Sequence, residues 1–85
     1  MTTTVILSGA RTPFGKFGGA LASFTAIELG GIAIKESIKR ANIDGNEVQE
    51  VIFGQVLQGG QGQIPSRQAA RAAGLAWDVK TETIN

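Results

Sequence analysis

The sequence predicts an α/β fold in which strands and helices alternate along 85 residues. Apolar segments rich in β-branched residues at 3–7 and 50–57 predict two strands, and residues 80–85 begin a third. The apolar residues of 50–57 do not alternate with polar ones, which is typical of a parallel strand covered on both faces. The order strand, helix, strand, helix, strand then predicts a β-α-β-α-β unit with right-handed crossovers.

The first predicted helix has a clear start signal. Thr25 and Glu28 have the spacing of a capping box, in which each side chain satisfies a backbone N–H of the first turn. Small and apolar residues then recur every three or four positions and form one face: Ile27, Gly31, Ile34, Ile38 and Ala41. Gly30 and Gly31 disfavour a helix, so we expect them to allow close packing on a sheet. Residues 41–45 end the helix.

The second predicted helix follows a glycine-rich loop at residues 59–63. Pro65 suits the first helical position and Gly74 suits the position just after the helix. The alanines between them are strong helix formers.

Composition excludes several classes of protein. Hydrophobic residues make up 42% of the chain and charged residues 18%, which indicates a globular protein. The net charge is +1 and no basic run occurs, so neither nucleic acid nor a membrane surface is an expected partner. Cysteine is absent, which excludes disulfides and thiolate metal sites. The apolar stretch at 5–7 is too short for a signal peptide, so the expected location is cytoplasmic.

Two loops have partial phosphate-binding patterns. Gly9 to Lys16 has five residues between its glycines where a P-loop has four, and Phe17 stands where a hydroxyl should bind magnesium. The stretch from Gly60 has Pro65 in place of the third glycine of a dinucleotide fingerprint. Ordinary turns between strand and helix are the favoured interpretation of both.

Isolated charged residues give no active site. Arg11 follows the first strand, where a ligand or, more simply, an ion pair or carbonyl contact is expected. Arg67 and Arg71 lie one helical turn apart, so they suit a carboxylate or phosphate clamp, or else a solvated face or subunit contact. Glu47 and Glu50 are expected to be solvated. Histidine is absent and no serine has a Ser-x-x-Lys pattern. No catalytic, cofactor-binding or metal-binding residue is therefore assigned.

The predicted layers are incomplete. Two helices cannot cover both faces of three strands, so apolar sheet surface would stay exposed unless a partner covered it. We therefore expect residues 1–85 to be one partial domain of a larger protein.

Five local strings, in this order, resemble the start of thiolases. They are SGARTPFGKFGG at 8–19, ELG at 28–30, GQVLQ at 54–58, GQIPSRQAA at 62–70 and TIN at 83–85. The resemblance spans the whole chain and is strongest to the biosynthetic, acetoacetyl-CoA type. It implies a layered α/β/α fold, of which this chain supplies the first β-α-β-α-β part of the N-terminal half.

The resemblance also implies a chemistry. Thiolases join two acetyl-CoA molecules by a reversible Claisen condensation, giving acetoacetyl-CoA and CoA through a cysteine thioester, with no cofactor beyond the CoA thioesters. The nucleophilic cysteine is expected three residues after Asn85, at a helix N-terminus, which favours its thiolate form. A homodimer or homotetramer is expected. The alternatives are a 3-ketoacyl-CoA thiolase of fatty-acid degradation and a non-catalytic α/β assembly module.

Overall fold

The computed structural model describes residues 2–85. Helix α1 spans Ala26–Ala41, strand β1 spans Glu50–Gly54, helix α2 spans Pro65–Ala72 and strand β2 spans Lys80–Ile84. A short 3-10 turn, Gly45–Glu47, lies between α1 and β1. None of the helices in residues 2–85 is both long and apolar enough to span a bilayer.

The predicted capping of α1 is confirmed. The Thr25 hydroxyl accepts from the Glu28 N–H at 3.1 Å, and Glu28 Oε1 accepts from the Thr25 N–H at 3.1 Å. At the other end Asn42 takes the left-handed conformation, with φ of 57°, and stops the helix. The predicted face is also correct, since Gly31 is buried and Ile34 and Ile38 pack against the core.

The two strands are parallel, as predicted. Glu50 pairs with Lys80 and Gly54 with Ile84, so both strands end at the same edge of the sheet. Both are shorter than predicted: β1 stops at Gly54 and leaves Val56 and Leu57 exposed, while β2 stops at Ile84. The chain turns away from the sheet after Gly54, which ends the ladder.

The predicted strand at residues 3–7 is wrong. This segment has no regular structure, and its Ile6 side chain is 93% exposed. A strand needs a neighbour to bond its backbone, and no strand among residues 2–85 pairs with it. The following residues are held to α1 instead: Ser8 Oγ donates to the Ser37 carbonyl at 2.7 Å and Arg40 Nη1 donates to the Gly9 carbonyl at 3.2 Å.

Both helices lie on one face of the sheet, around a small core. Its buried side chains come from β1, α2 and the connector before β2: Val51, Ala70, Leu75 and Val79. The opposite face is open, with Ile52 and Ile84 54% and 50% exposed. The expectation that this chain alone leaves apolar sheet surface uncovered is met.

Gly30 and Gly31 allow two different close contacts. A Cβ on Gly30 would lie 2.8 Å from Phe53 Cε2, so this glycine packs on the sheet as predicted. A Cβ on Gly31 would lie 2.8 Å from Ala72 Cβ, so this glycine permits the approach of α2 instead. Small residues here set the distance between helices and sheet.

We expect Gly31→Ala to lower the free energy of unfolding by up to about 2 kcal/mol. The added methyl gains about 1 kcal/mol in helix propensity. Forcing it into a packed contact costs about 1–3 kcal/mol, and this steric cost outweighs the gain in propensity. Urea denaturation measures the difference. Gly59→Ala is the control, because a methyl there meets nothing within 4 Å and its φ is ordinary. A Gly31→Ala variant more stable than the parent protein would contradict this packing.

Candidate functional site

The candidate site is the carboxyl edge of the two strands, where ligands bind in many parallel α/β sheets. Gly54 and Ile84 end the strands there, and α2 begins beside them at Pro65. The edge is fixed by polar contacts between three segments: the end of β2, the start of α2 and the chain leaving β1.

Thr83 caps α2 from the neighbouring strand. The local N-cap residue, Ile64, has φ of 48° and provides no side-chain acceptor. Thr83 Oγ1 takes this role: it accepts from the Ser66 N–H at 3.1 Å and donates to Ser66 Oγ at 2.7 Å. Ser66 is 0% exposed and Thr83 is half-buried, so this pair links β2 to the buried start of α2. A helix start that usually depends on local sequence depends here on tertiary structure.

Asn85 links the two strand ends. Its Nδ2 donates to the Val56 carbonyl at 2.9 Å and to the Gln55 carbonyl at 3.3 Å. The last backbone bond of the ladder, from the Gln55 N–H to the Ile84 carbonyl at 2.8 Å, lies beside these contacts. The chain therefore leaves β2 with its direction set by both backbone and side-chain bonds.

A shallow groove of about 200 Å³ lies on the helix side of this edge. The first turns of both helices line it with small or apolar groups, among them Ala26 and Pro65, and Phe53 and Thr83 come from the strands. Within residues 2–85 no group of three His, Cys, Asp or Glu side chains could hold a metal ion. The edge thus provides a shaped surface and a set of fixed hydrogen bonds.

The structure excludes both phosphate-loop interpretations. The loop from Gly9 to Lys16 neither follows a strand nor enters a helix, because α1 begins only at Ala26. The loop before α2 is filled from within: Gln68 Nε2 donates to the Gln63 carbonyl at 2.8 Å and lies 2.7 Å from where a Cβ on Gly62 would stand. The Ser66 N–H, which a phosphate would need, is already bonded to Thr83.

Arg67 and Arg71 have a role that the sequence did not predict. Arg67 donates to the Trp77 carbonyl at 2.7 Å and to the Val79 carbonyl at 2.8 Å. Arg71 donates to the Leu75 carbonyl, and its guanidinium lies 3.8 Å from the centre of the Trp77 ring. Both the ligand clamp and the solvated face are therefore wrong, because these side chains hold the connector between α2 and β2. Their acceptors are backbone carbonyls of the connector, four to twelve residues further along the chain and beyond the end of α2, where the helical pattern no longer applies.

The other predicted residues lie away from the edge. Arg11 donates to the Thr12 carbonyl at 3.2 Å and lies over the Phe14 ring, so the expected carbonyl contact is confirmed. Glu47 accepts from the Asp44 N–H at 3.0 Å in the 3-10 turn, and Glu50 is exposed at the start of β1. No local pattern pairs Thr83 with Ser66, although both lie in strings that carry the family resemblance.

Residues 4–85 match the model of the thiolase N-terminal domain. The chain belongs to the thiolase family. This agrees with the α/β architecture and with the five strings quoted above.

Curated thiolase relatives align with the whole chain. It is 58% identical to the probable acetyl-CoA acetyltransferase of Mycobacterium tuberculosis and covers 22% of that protein. It is 56% identical to the mitochondrial acetyl-CoA acetyltransferase of Xenopus tropicalis, covering 20% of it, and 52% identical to the acetyl-CoA acetyltransferase of Escherichia coli, covering 22%. All 85 residues align in each case, so the chain spans about a fifth of the length of these relatives.

A solved thiolase structure has the same fold in this region. It is the Acat5 thiolase of Ascaris suum in complex with coenzyme A, with a TM-score of 0.92 at 39% identity. The match covers 94% of this chain and 21% of that one. The α/β fold class predicted from the sequence is confirmed.

Proposed function

We propose that this chain is the N-terminal part of an acetyl-CoA C-acetyltransferase, which condenses two acetyl-CoA molecules to acetoacetyl-CoA and CoA. The observation that carries the proposal is the alignment of all 85 residues, at 52–58% identity, with relatives named as acetyl-CoA acetyltransferases. The CoA complex of the Ascaris thiolase supports CoA thioesters as substrates.

In the proposed reaction a cysteine just after Asn85 attacks the acetyl thioester, so that a C–S bond to the enzyme forms and CoA leaves. A base then removes a proton from the methyl group of a second acetyl-CoA. The resulting carbanion attacks the enzyme thioester and releases the cysteine. The acyl group arrives already activated, so we propose that no further cofactor is required. Residues 1–85 are proposed to act as scaffold, and all reacting groups to lie elsewhere in the enzyme.

The partners follow from the open sheet face. Ile52 and Ile84 are half exposed there, and we propose that the remainder of the same enzyme covers them. A homodimer or homotetramer is the proposed assembly, which light scattering of the whole protein would measure. We also propose a cytoplasmic location. Since a Xenopus relative is named mitochondrial, fractionation of the source cells is the direct test.

The activity test uses the whole protein that carries this segment. We expect it to cleave acetoacetyl-CoA in the presence of CoA, which is measured as loss of the acetoacetyl-CoA absorbance. We also expect it to take up one acetyl group from acetyl-CoA, which is measured by intact mass spectrometry. A higher kcat/KM on long-chain 3-ketoacyl-CoA than on acetoacetyl-CoA would favour the degradative type. A protein that neither gains an acetyl group nor cleaves either substrate would contradict the proposal.

A further inference from the structure

We infer that Asn85 is a positioning residue, whose carboxamide fixes the direction of the chain beyond β2 and so aligns the nucleophile. This inference rests on the proposed function, which puts the reactive cysteine shortly after Asn85. Its structural basis is the pair of hydrogen bonds from Asn85 Nδ2 to the carbonyls of Val56 and Gln55, at 2.9 and 3.3 Å.

These bonds lie where the backbone ladder ends. The Gln55 N–H bonds the Ile84 carbonyl at 2.8 Å, and β1 has already stopped at Gly54. After Gly54 the chain turns away from the sheet, and two side-chain hydrogen bonds hold this turn. Gln55 Nε2 donates to the Leu57 carbonyl at 3.2 Å, and Gln58 Nε2 donates to the Gln55 carbonyl at 3.0 Å. Asn85 thus connects the C-terminal end of β2 to the turn after β1, which is itself held by internal hydrogen bonds.

Thr83 holds the C-terminal end of β2 on its other side. Its hydroxyl is bonded to Ser66 at the start of α2. The last residues of β2 are therefore held to α2 on one side and to the turn after β1 on the other. Two anchors within three residues restrict both the twist and the heading of the segment that follows.

A carboxamide suits this role for a chemical reason. Its NH₂ group has two donors and can serve two carbonyl oxygens at once. An aspartate of the same shape would face those oxygens with acceptors only, and an alanine would leave them without this donor. Asn85 is exposed, so the bonds add little to global stability, and their removal should mainly change geometry.

The test compares Asn85→Asp, Asn85→Ala and Asn85→Gln in the whole protein. We expect kcat for acetoacetyl-CoA cleavage to fall about 10-fold to 100-fold in the Asp and Ala variants, because small misplacement of reacting groups is costly. The KM values should stay within about twofold, since substrate binding is untouched. Asn85→Gln keeps the amide on a longer stem and should recover part of the rate. Asn46→Asp, on the exposed 3-10 turn, is the matched control.

A second measurement does not depend on activity. Hydrogen exchange of residues 55–58 and of the residues just after Asn85 should be faster in Asn85→Asp than in the parent protein, and unchanged in Asn46→Asp. An active parent protein whose Asn85→Asp variant keeps its kcat would overturn the positioning role. Unchanged exchange would overturn the anchor itself. A parent protein with no acyl transfer but faster exchange in Asn85→Asp would reject the proposed function and leave the anchor standing.

Discussion

Leu75→Ala is expected to lower the free energy of unfolding by about 2–5 kcal/mol, the range for removing a buried leucine side chain. Leu75 is 1% exposed and packs with Val51, Ala70 and Val79 in the core. The buried core of this chain is small, so few neighbours can move to fill the cavity. Gly45 also lies against Leu75, because a Cβ there would be 3.1 Å from Leu75 Cδ2.

Urea denaturation of the whole protein measures this effect. Leu75→Met is the control: it nearly conserves volume, and its expected loss is under about 1.5 kcal/mol. Equal losses for the Ala and Met variants would contradict the packing, because they would show that the cavity does not determine the result.

Thr83→Val should lower the free energy of unfolding by about 2–6 kcal/mol, although valine has nearly the same shape. The change leaves the Ser66 N–H without its acceptor and the buried Ser66 hydroxyl without its donor. Each unsatisfied buried group costs about 1–3 kcal/mol. Thr83→Ser retains the hydroxyl and is expected to lose under about 1 kcal/mol.

A double-mutant cycle isolates this contact. Adding Ser66→Ala to Thr83→Val removes both hydroxyls, so the combined loss should be smaller than the sum by about 0.5–3 kcal/mol. Thr81→Val, on the same face of β2, is the single-site control. If Thr81→Val and Thr83→Val were equally destabilising, the cap from the strand would have no special role.

Local patterns predicted the helices well because their signals are local. Thr25 and Glu28 lie three residues apart, and the capping box that they form depends on no other part of the chain. Pro65 begins α2 as predicted, and Gly74 follows its end with φ of 86°. Hydrogen bonds between residues a few positions apart can be predicted from the spacing of those residues in the sequence.

Contacts between distant residues escaped the same reasoning. Arg67 and Arg71 were expected to form a ligand clamp, a solvated face or a subunit contact, and no local pattern predicted that they bind the backbone of the connector to β2. Thr83 and Ser66 are 17 residues apart, and no local pattern pairs them. The segment at 3–7 has the composition of a strand, yet composition does not supply the neighbour that a ladder requires.

The sequence by itself determined the α/β class, the two helices, the parallel direction of the strands and the resemblance to thiolases. Each depends on residue order, periodicity or capping, which act over a few positions. Only the tertiary structure decided that both helices cover one face, that a strand residue caps α2 and that Asn85 anchors the exit of β2. Those features arise because segments far apart in sequence come together only in the folded chain, and their packing and hydrogen bonds depend on that proximity.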